Sequence, residues 1–171
     1  MYRLRFIFVM LKCLFSEKKE LTDDFWLSFW AIPVFDTDLT LLFTQTYGQY
    51  MGLARWNLLF NSEFRKAALK RGWAPVTSKE TIFYRRPIKM FSCVSLKTRI
   101  VYWNDRRFYL EQIFYVKNDI RAIAYVEGLI RGSKSHLNPH EAFKVMGVEK
   151  ESPALPQDMK GWVDLVYEPH D

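Results

Sequence analysis

Residues 92–131 read SCVSLKTRIVYWNDRRFYLEQIFYVKNDIRAIAYVEGLIR. Apolar and polar side chains alternate with period two through 92–104, 106–117 and 120–131, the pattern of half-buried strands. Asn104-Asp105 and Asn118-Asp119 lie between the runs and carry the chemistry of tight hairpin turns. The stretch therefore predicts three long antiparallel strands in a meander. A fourth alternating run, 75–86, precedes it.

Upstream the period changes. Tyr47, Tyr50, Met51, Ala54 and Leu58, then Phe64, Ala67 and Ala68, follow helical spacings and predict helices over 46–60 and 62–71. Thr44 or Thr46 would cap the first helix, and Asn61 or Ser62 the second. Gly72, after Lys70 and Arg71, would close the second as a C-cap glycine. Gly48 and Gly52 each cost the first helix roughly 1 kcal/mol relative to alanine, but let a neighbour or ligand approach it closely. Residues 25–35, FWLSFWAIPVF, read as a buried strand with Pro33 marking an edge or an end. Residues 36–46 read as a loop or short turn. Asn138-Pro139-His140-Glu141 opens a final helix with a cap, a first-turn proline and a capping-box glutamate. The order is strand, helix pair, four strands. The helix of about four turns needs an antiparallel sheet to cover its apolar stripe. The expected class is α+β, a long sheet wrapped around a central helix: the hot-dog fold. Strands longer than ten residues leave an edge and a second face to satisfy, which points to a homodimer or a dimer of dimers.

The 171 residues suit one domain, here divided into an apolar, basic segment 1–24, a body 25–147 and a tail 148–171. The tail contains Pro153, Pro156 and Pro169 and reads as irregular, with Trp162, Leu165, Val166 and Tyr167 available to dock. A hydrophobic content of 49% with only seven Gly and seven Pro excludes disorder and collagen. Cys13 and Cys93 stand apart with no ligand spacing around them, so no metal or other cofactor is implied, and a reducing cytoplasm is the default setting. The net charge of +6 suits an anionic partner. A nucleic acid is disfavoured, because the aromatics of the strands alternate on both faces instead of forming one platform. The run Phe6–Phe15, FIFVMLKCLF, is too short to span a bilayer. It reads either as a helix packed on the body or a partner, or as a basic, apolar helix of residues 1–20 making peripheral membrane contact.

Several segments, taken in order, resemble the hot-dog acyl-CoA thioesterases of the 4-hydroxybenzoyl-CoA thioesterase-like group, in particular bacterial relatives of thioesterase superfamily member 6. These are Asp36-Thr37-Asp38-Leu39-Thr40-Leu41, Met51-Gly52-Leu53-Ala54-Arg55, Arg71-Gly72-Trp73-Ala74-Pro75-Val76, Ser78-Lys79-Glu80-Thr81-Ile82 with Arg85-Arg86-Pro87, and Trp103-Asn104-Asp105 with Phe108-Tyr109-Leu110-Glu111. The likeness covers roughly 25–147. The family follows its aspartate pair with a His-[Met/Val]-[Asn/Thr]-Asn stretch and a tyrosine. Here Tyr47 fits the tyrosine, but Leu41-Leu42-Phe43-Thr44-Gln45-Thr46 supplies neither the histidine nor the asparagine. Asp36 takes the family's catalytic position if the missing residue lies after Leu41; an ungapped count from Tyr50 promotes Asp38.

The resemblance implies hydrolysis of an acyl-CoA or similar thioester. Such a reaction needs an activated attacker, oxyanion donors and an acyl slot. Asp36 or Asp38 would be base or nucleophile, and the backbone N–H groups near Tyr47 and Gly48 would hold the oxyanion. Thr44 and Thr46 would supply polar contacts, and Tyr50 and Arg55 would border the substrate. Arg85, Arg86 and Arg131 would meet the phosphates of coenzyme A. A second reading, motivated by the missing histidine and asparagine, is a degenerate hot-dog protein that binds an acyl thioester or a protein partner. No G-x-S-x-G elbow and no glycine-rich phosphate loop occurs in the sequence.

Overall fold

The computed structural model describes residues 2–132 and 136–164. In chain order these form α1 (Tyr2–Phe15), β1 (Phe25–Trp30), β2 (Thr37–Asp38), β3 (Leu41–Leu42), α2 (Thr44–Phe60), α3 (Phe64–Arg71), β4 (Ala74–Tyr84), β5 (Cys93–Trp103), β6 (Phe108–Val116), β7 (Asp119–Arg131), β8 (His136–Leu137), α4 (Pro139–Val145), a 3-10 turn (Gln157–Met159) and α5 (Lys160–Val163).

The main sheet runs β1-β5-β6-β7-β4, every pair antiparallel, with β8 added to the end of β7. The predicted meander is β5-β6-β7. The sheet folds round α2, so that Tyr50, Met51, Leu53 and Ala54 are buried against inward residues such as Leu96, Leu110, Phe114 and Val126. Removing this apolar area from water, at about 25 cal/mol per Å², is what holds helix to sheet. Gly128 is demanded by packing: a Cβ there would lie 2.5 Å from the Phe108 ring, its cross-strand partner.

Gly72 closes α3 in the left-handed conformation, as the sequence predicts (φ 65°). Five local expectations need correction. The N-cap of α3 is Glu63, with no side-chain cap, where the sequence predicts Asn61 or Ser62. The N-cap of α2 is Phe43, with no side-chain cap; Thr44 is the first helical residue, and Thr46 instead donates to the Asp36 carbonyl at 3.1 Å. The small β2–β3 hairpin has already fixed the entry of the chain there. The β6–β7 turn is Lys117-Asn118, one residue earlier than read, with Lys117 at φ 58°. The loop 36–46 contains β2 and β3, and the tail contains helical turns. Met159 is fully buried on the outer face of the sheet, and Trp162 Nε1 donates to Thr81 Oγ1 at 2.8 Å. Outward aromatics such as Tyr109 and Tyr125 required a cover, which these side chains provide. The docking expected of Leu165, Val166 and Tyr167 lies outside the described residues.

The N-terminal segment forms α1, one side of which packs on the body. Phe6, Val9 and Cys13 pack on α2, with Phe6 edge-on to Trp56. The opposite side of the helix is exposed.

Candidate functional site

Asp36 follows β1 and is 1% exposed. Its carboxylate is held by Arg5 of α1 through two contacts of 2.6 Å, one to each oxygen, and by the Ile32 N–H at 2.8 Å. Arg5 also donates to the Trp30 carbonyl at 3.0 Å and lies over the Tyr50 ring, 5.1 Å from its centre. Burial pushes the Asp36 pKa up, but the Arg5 guanidinium and the Ile32 N–H outweigh it, and the carboxyl titrates below its ordinary range. Burial pushes the Tyr50 hydroxyl well above its ordinary value. Asp36 is thus a buried, ion-paired anion that ties α1 to the body. Asp38, on β2, is exposed.

The Asp36 backbone does a different job. Its carbonyl accepts from Phe43 N–H at 2.9 Å and from Thr46 Oγ1, tying the β2–β3 hairpin to the start of α2. Beside that start is a cleft of about 330 Å³. It brings together four of the sequence candidates, Thr44, Tyr47, Arg85 and Arg86, with Leu42 and Ile88 among its walls. Burial raises the Tyr47 hydroxyl pKa. An uncapped helix start beside two arginines is suited to an anionic group. Asp36, Tyr50, Arg55 and Arg131 do not line this cleft. Arg131 is exposed at the end of β7, opposite Ala74.

A second, apolar cavity of about 260 Å³ lies between α2 and the sheet. Leu58, Ile100, Leu110, Val126 and Phe143 form its walls, and Tyr2, Gly52 and Arg55 border it. The volume is just under the 300–1,000 Å³ typical of small-molecule sites. Pro75, Val76 and Thr77 complete one side and belong to β4, which pairs only with β7 among the described residues. Arg55 anchors a polar chain here. It donates to Glu80 Oε2 at 2.9 Å and to Gln112 Oε1 at 3.3 Å; Gln112 Nε2 donates to Thr98 Oγ1 at 2.9 Å and to the Met51 carbonyl at 3.2 Å. Gln112 and Thr98 are fully buried, so each polar atom needs these partners. A Cβ added to Gly48 would sit 4.0 Å from Glu80 Oε1, which places this carboxylate against the open flank of α2.

Arg5 and Glu80 were missed in the sequence. Arg5 shares a helix face with Tyr2 and Val9 at spacings of three and four, which was the available signal. Glu80 is hidden by a bulge between Thr77 and Lys79. Strict alternation from Pro75 and Thr77 turns Lys79 inward; the extra residue turns Glu80 inward instead, opposite Val126. His140 accepts from Trp103 Nε1 at 3.2 Å, and no group of three or more His, Cys, Asp or Glu able to hold a metal occurs among the described residues.

The sequence profile of the thioesterase-like superfamily matches residues 36–163. The chain belongs to the thioesterase-like superfamily. Within it, the chain is 28% identical over 133 residues to Protein THEM6 of Xenopus laevis, covering 74% of this chain and 62% of that protein. It is 29% identical over 99 residues to Protein THEM6 of Drosophila melanogaster, covering 57% and 49%. The chain therefore spans less than two thirds of the length of these relatives. Among solved structures, the probable thioesterase YbaW of Escherichia coli superposes with TM-score 0.66 at 17% identity, covering 71% of this chain and 95% of that one. A Staphylococcus aureus protein in complex with CoA superposes with TM-score 0.66 at 10% identity, covering 90% and 100%. At such identities the likeness shows the fold, and that fold is the hot-dog fold of this thioesterase-like chain.

Proposed function

We propose that this thioesterase-like chain binds an acyl-CoA or similar thioester, with the acyl tail in the cavity beneath α2. The cavity itself carries the reading: it is lined mainly by apolar side chains and bordered by one paired arginine, Arg55. The cleft of Thr44, Tyr47, Arg85 and Arg86 suits the anionic end of coenzyme A. Hydrolysis through Asp36 would require Arg5 to leave it, because burial shields the carboxylate from a water or a carbonyl and the paired guanidinium lowers its basicity. The protein is then a binder of thioesters whose family acid is engaged elsewhere. A second reading, hydrolysis with Glu80 as base and the Gly48 flank of α2 as binding surface, is favoured by the closeness of Glu80 to Gly48.

Thermal unfolding with dodecanoyl-CoA and with CoA alone, with released thiol followed in parallel, tests this. Stabilisation by dodecanoyl-CoA beyond that by CoA, with no thiol release, is the expected result. Thiol release abolished by Glu80→Gln would establish the second reading. Neither stabilisation nor release would overturn both.

The homodimer expected from the strand lengths fits the open edge of β4, eleven residues long. Val76 lines the cavity yet is 42% exposed, so a second copy paired along this edge would close the cavity's side. Sedimentation equilibrium should return twice the chain mass; a monomer throughout would contradict the pairing. The tail covers part of the outer face that a dimer of dimers stacked through its sheets would use. A reducing, cytoplasmic setting agrees with the two free cysteines, Cys13 and Cys93.

A further inference from the structure

We infer that the outward face of α1 docks on an anionic lipid bilayer, while Arg5 and Asp36 keep the helix fastened to the domain. Leu4, Ile7, Phe8, Leu11, Leu14 and Phe15 are all exposed, Phe8 at 68% and Phe15 at 89%. At 100° per residue these six fall within an arc of about 120°. The opposite arc holds Tyr2, Phe6, Val9 and Cys13, which face α2 and the cavity. A helix that buries one apolar face in its own domain normally shows a polar one to water. This helix shows a second apolar stripe.

The charges decide the occupant. Arg3 and Lys12 border the stripe on its two sides, and Tyr2–Phe15 contains no acidic residue. A second copy of α1 applied to this face would add further cations and no acid to pair with them. An anionic surface is attracted to both borders while the stripe between them enters the headgroup boundary, the geometry of an interfacial helix. At 14 residues α1 cannot cross a bilayer, and among the described residues no helix is long and apolar enough to do so. The chain beside the helix is also apolar and exposed: Trp30, whose carbonyl accepts from Arg5, and Val34 and Phe35, which precede Asp36.

The inference deepens the reading proposed above and rests on it in one respect. Tyr2 lies where α1 meets the cavity; its hydroxyl would be 3.6 Å from a Cβ on Gly52. A domain docked through α1 holds this border of the cavity near the lipid, which favours thioesters whose acyl chains partition into membranes.

Docking is tested without any substrate, so that its failure is separate from failure of thioester binding. The full chain is floated with phosphatidylcholine vesicles and with vesicles containing about 30% phosphatidylglycerol. Most of the protein should rise with the anionic vesicles and little with the neutral ones, and salt of about 0.5 M should weaken the binding. Phe8→Glu with Leu11→Glu should reduce partitioning about tenfold or more while the thermal unfolding midpoint stays near that of the parent. Lys12→Glu should weaken binding to anionic vesicles alone. Absence of binding to both vesicles, or equal binding by parent and the double variant, would overturn the inference. So would a parent oligomer that the double variant dissociates, since the face would then belong to a second copy.

Discussion

Arg5→Met is expected to destabilise the protein by about 3–5 kcal/mol, because it leaves the buried Asp36 carboxylate without its counter-charge. Chemical denaturation of parent and variant at neutral pH measures this. Asp36→Asn should cost a similar amount by stranding Arg5. Arg5→Met combined with Asp36→Leu should cost less than the two single changes together, because no uncompensated charge remains. Acidity supplies an independent check. The folded Asp36 pKa lies below its ordinary value, so its contribution to stability is present above the ordinary carboxylate range and is lost as the pH falls through the folded value. Without Arg5, burial acts on the Asp36 carboxyl with little to oppose it and raises its pKa, so the gap between parent and Arg5→Met should narrow as the pH falls, beginning above the ordinary carboxylate range and closing near the parent's lowered folded value. A gap that is small at neutral pH and flat with acidity would contradict the anchor role.

The second large effect concerns the cavity. Leu110→Trp places an indole in the space between α2 and β6, where Leu110 is 4% exposed and forms a wall. Overpacking should cost about 1–3 kcal/mol of stability. The affinity for dodecanoyl-CoA should fall about a hundredfold, since loss of acyl burial removes several methylenes' worth of transfer energy at about 0.8 kcal/mol each. Calorimetric titration checks the affinity, and denaturation of the same sample checks the fold. Unchanged affinity in a folded variant would place the acyl chain elsewhere.

The fold was legible because its decisive elements carry strong periodicity. The alternation through 92–131 and the helical spacing of Tyr47, Tyr50, Met51 and Ala54 require each other, since only a wrapped sheet buries that helix. Gly72 and the Asn138-Pro139 helix start were readable for the same local reasons. The site was less legible. Thr44, Tyr47, Arg85 and Arg86 share a cleft, but Arg131, grouped with the two arginines by chemistry, does not line it. The state of Asp36 depends on Arg5, 31 positions away in another helix, and no local pattern encodes that contact. Glu80 was concealed by a one-residue bulge, which reverses the face assignment of every later residue in its strand. The cover over the outer sheet came from Met159 and Trp162, single residues in a segment too rich in proline to show a period.

Thioester binding by this chain requires the cavity beneath α2 to be an acyl slot. The most direct measurement is the affinity of the chain for a series of saturated acyl-CoAs of increasing length, by calorimetry. Affinity should rise with each added methylene by up to about 0.8 kcal/mol until the cavity is full, and then level off. Affinity equal to that of CoA alone at every length would contradict it.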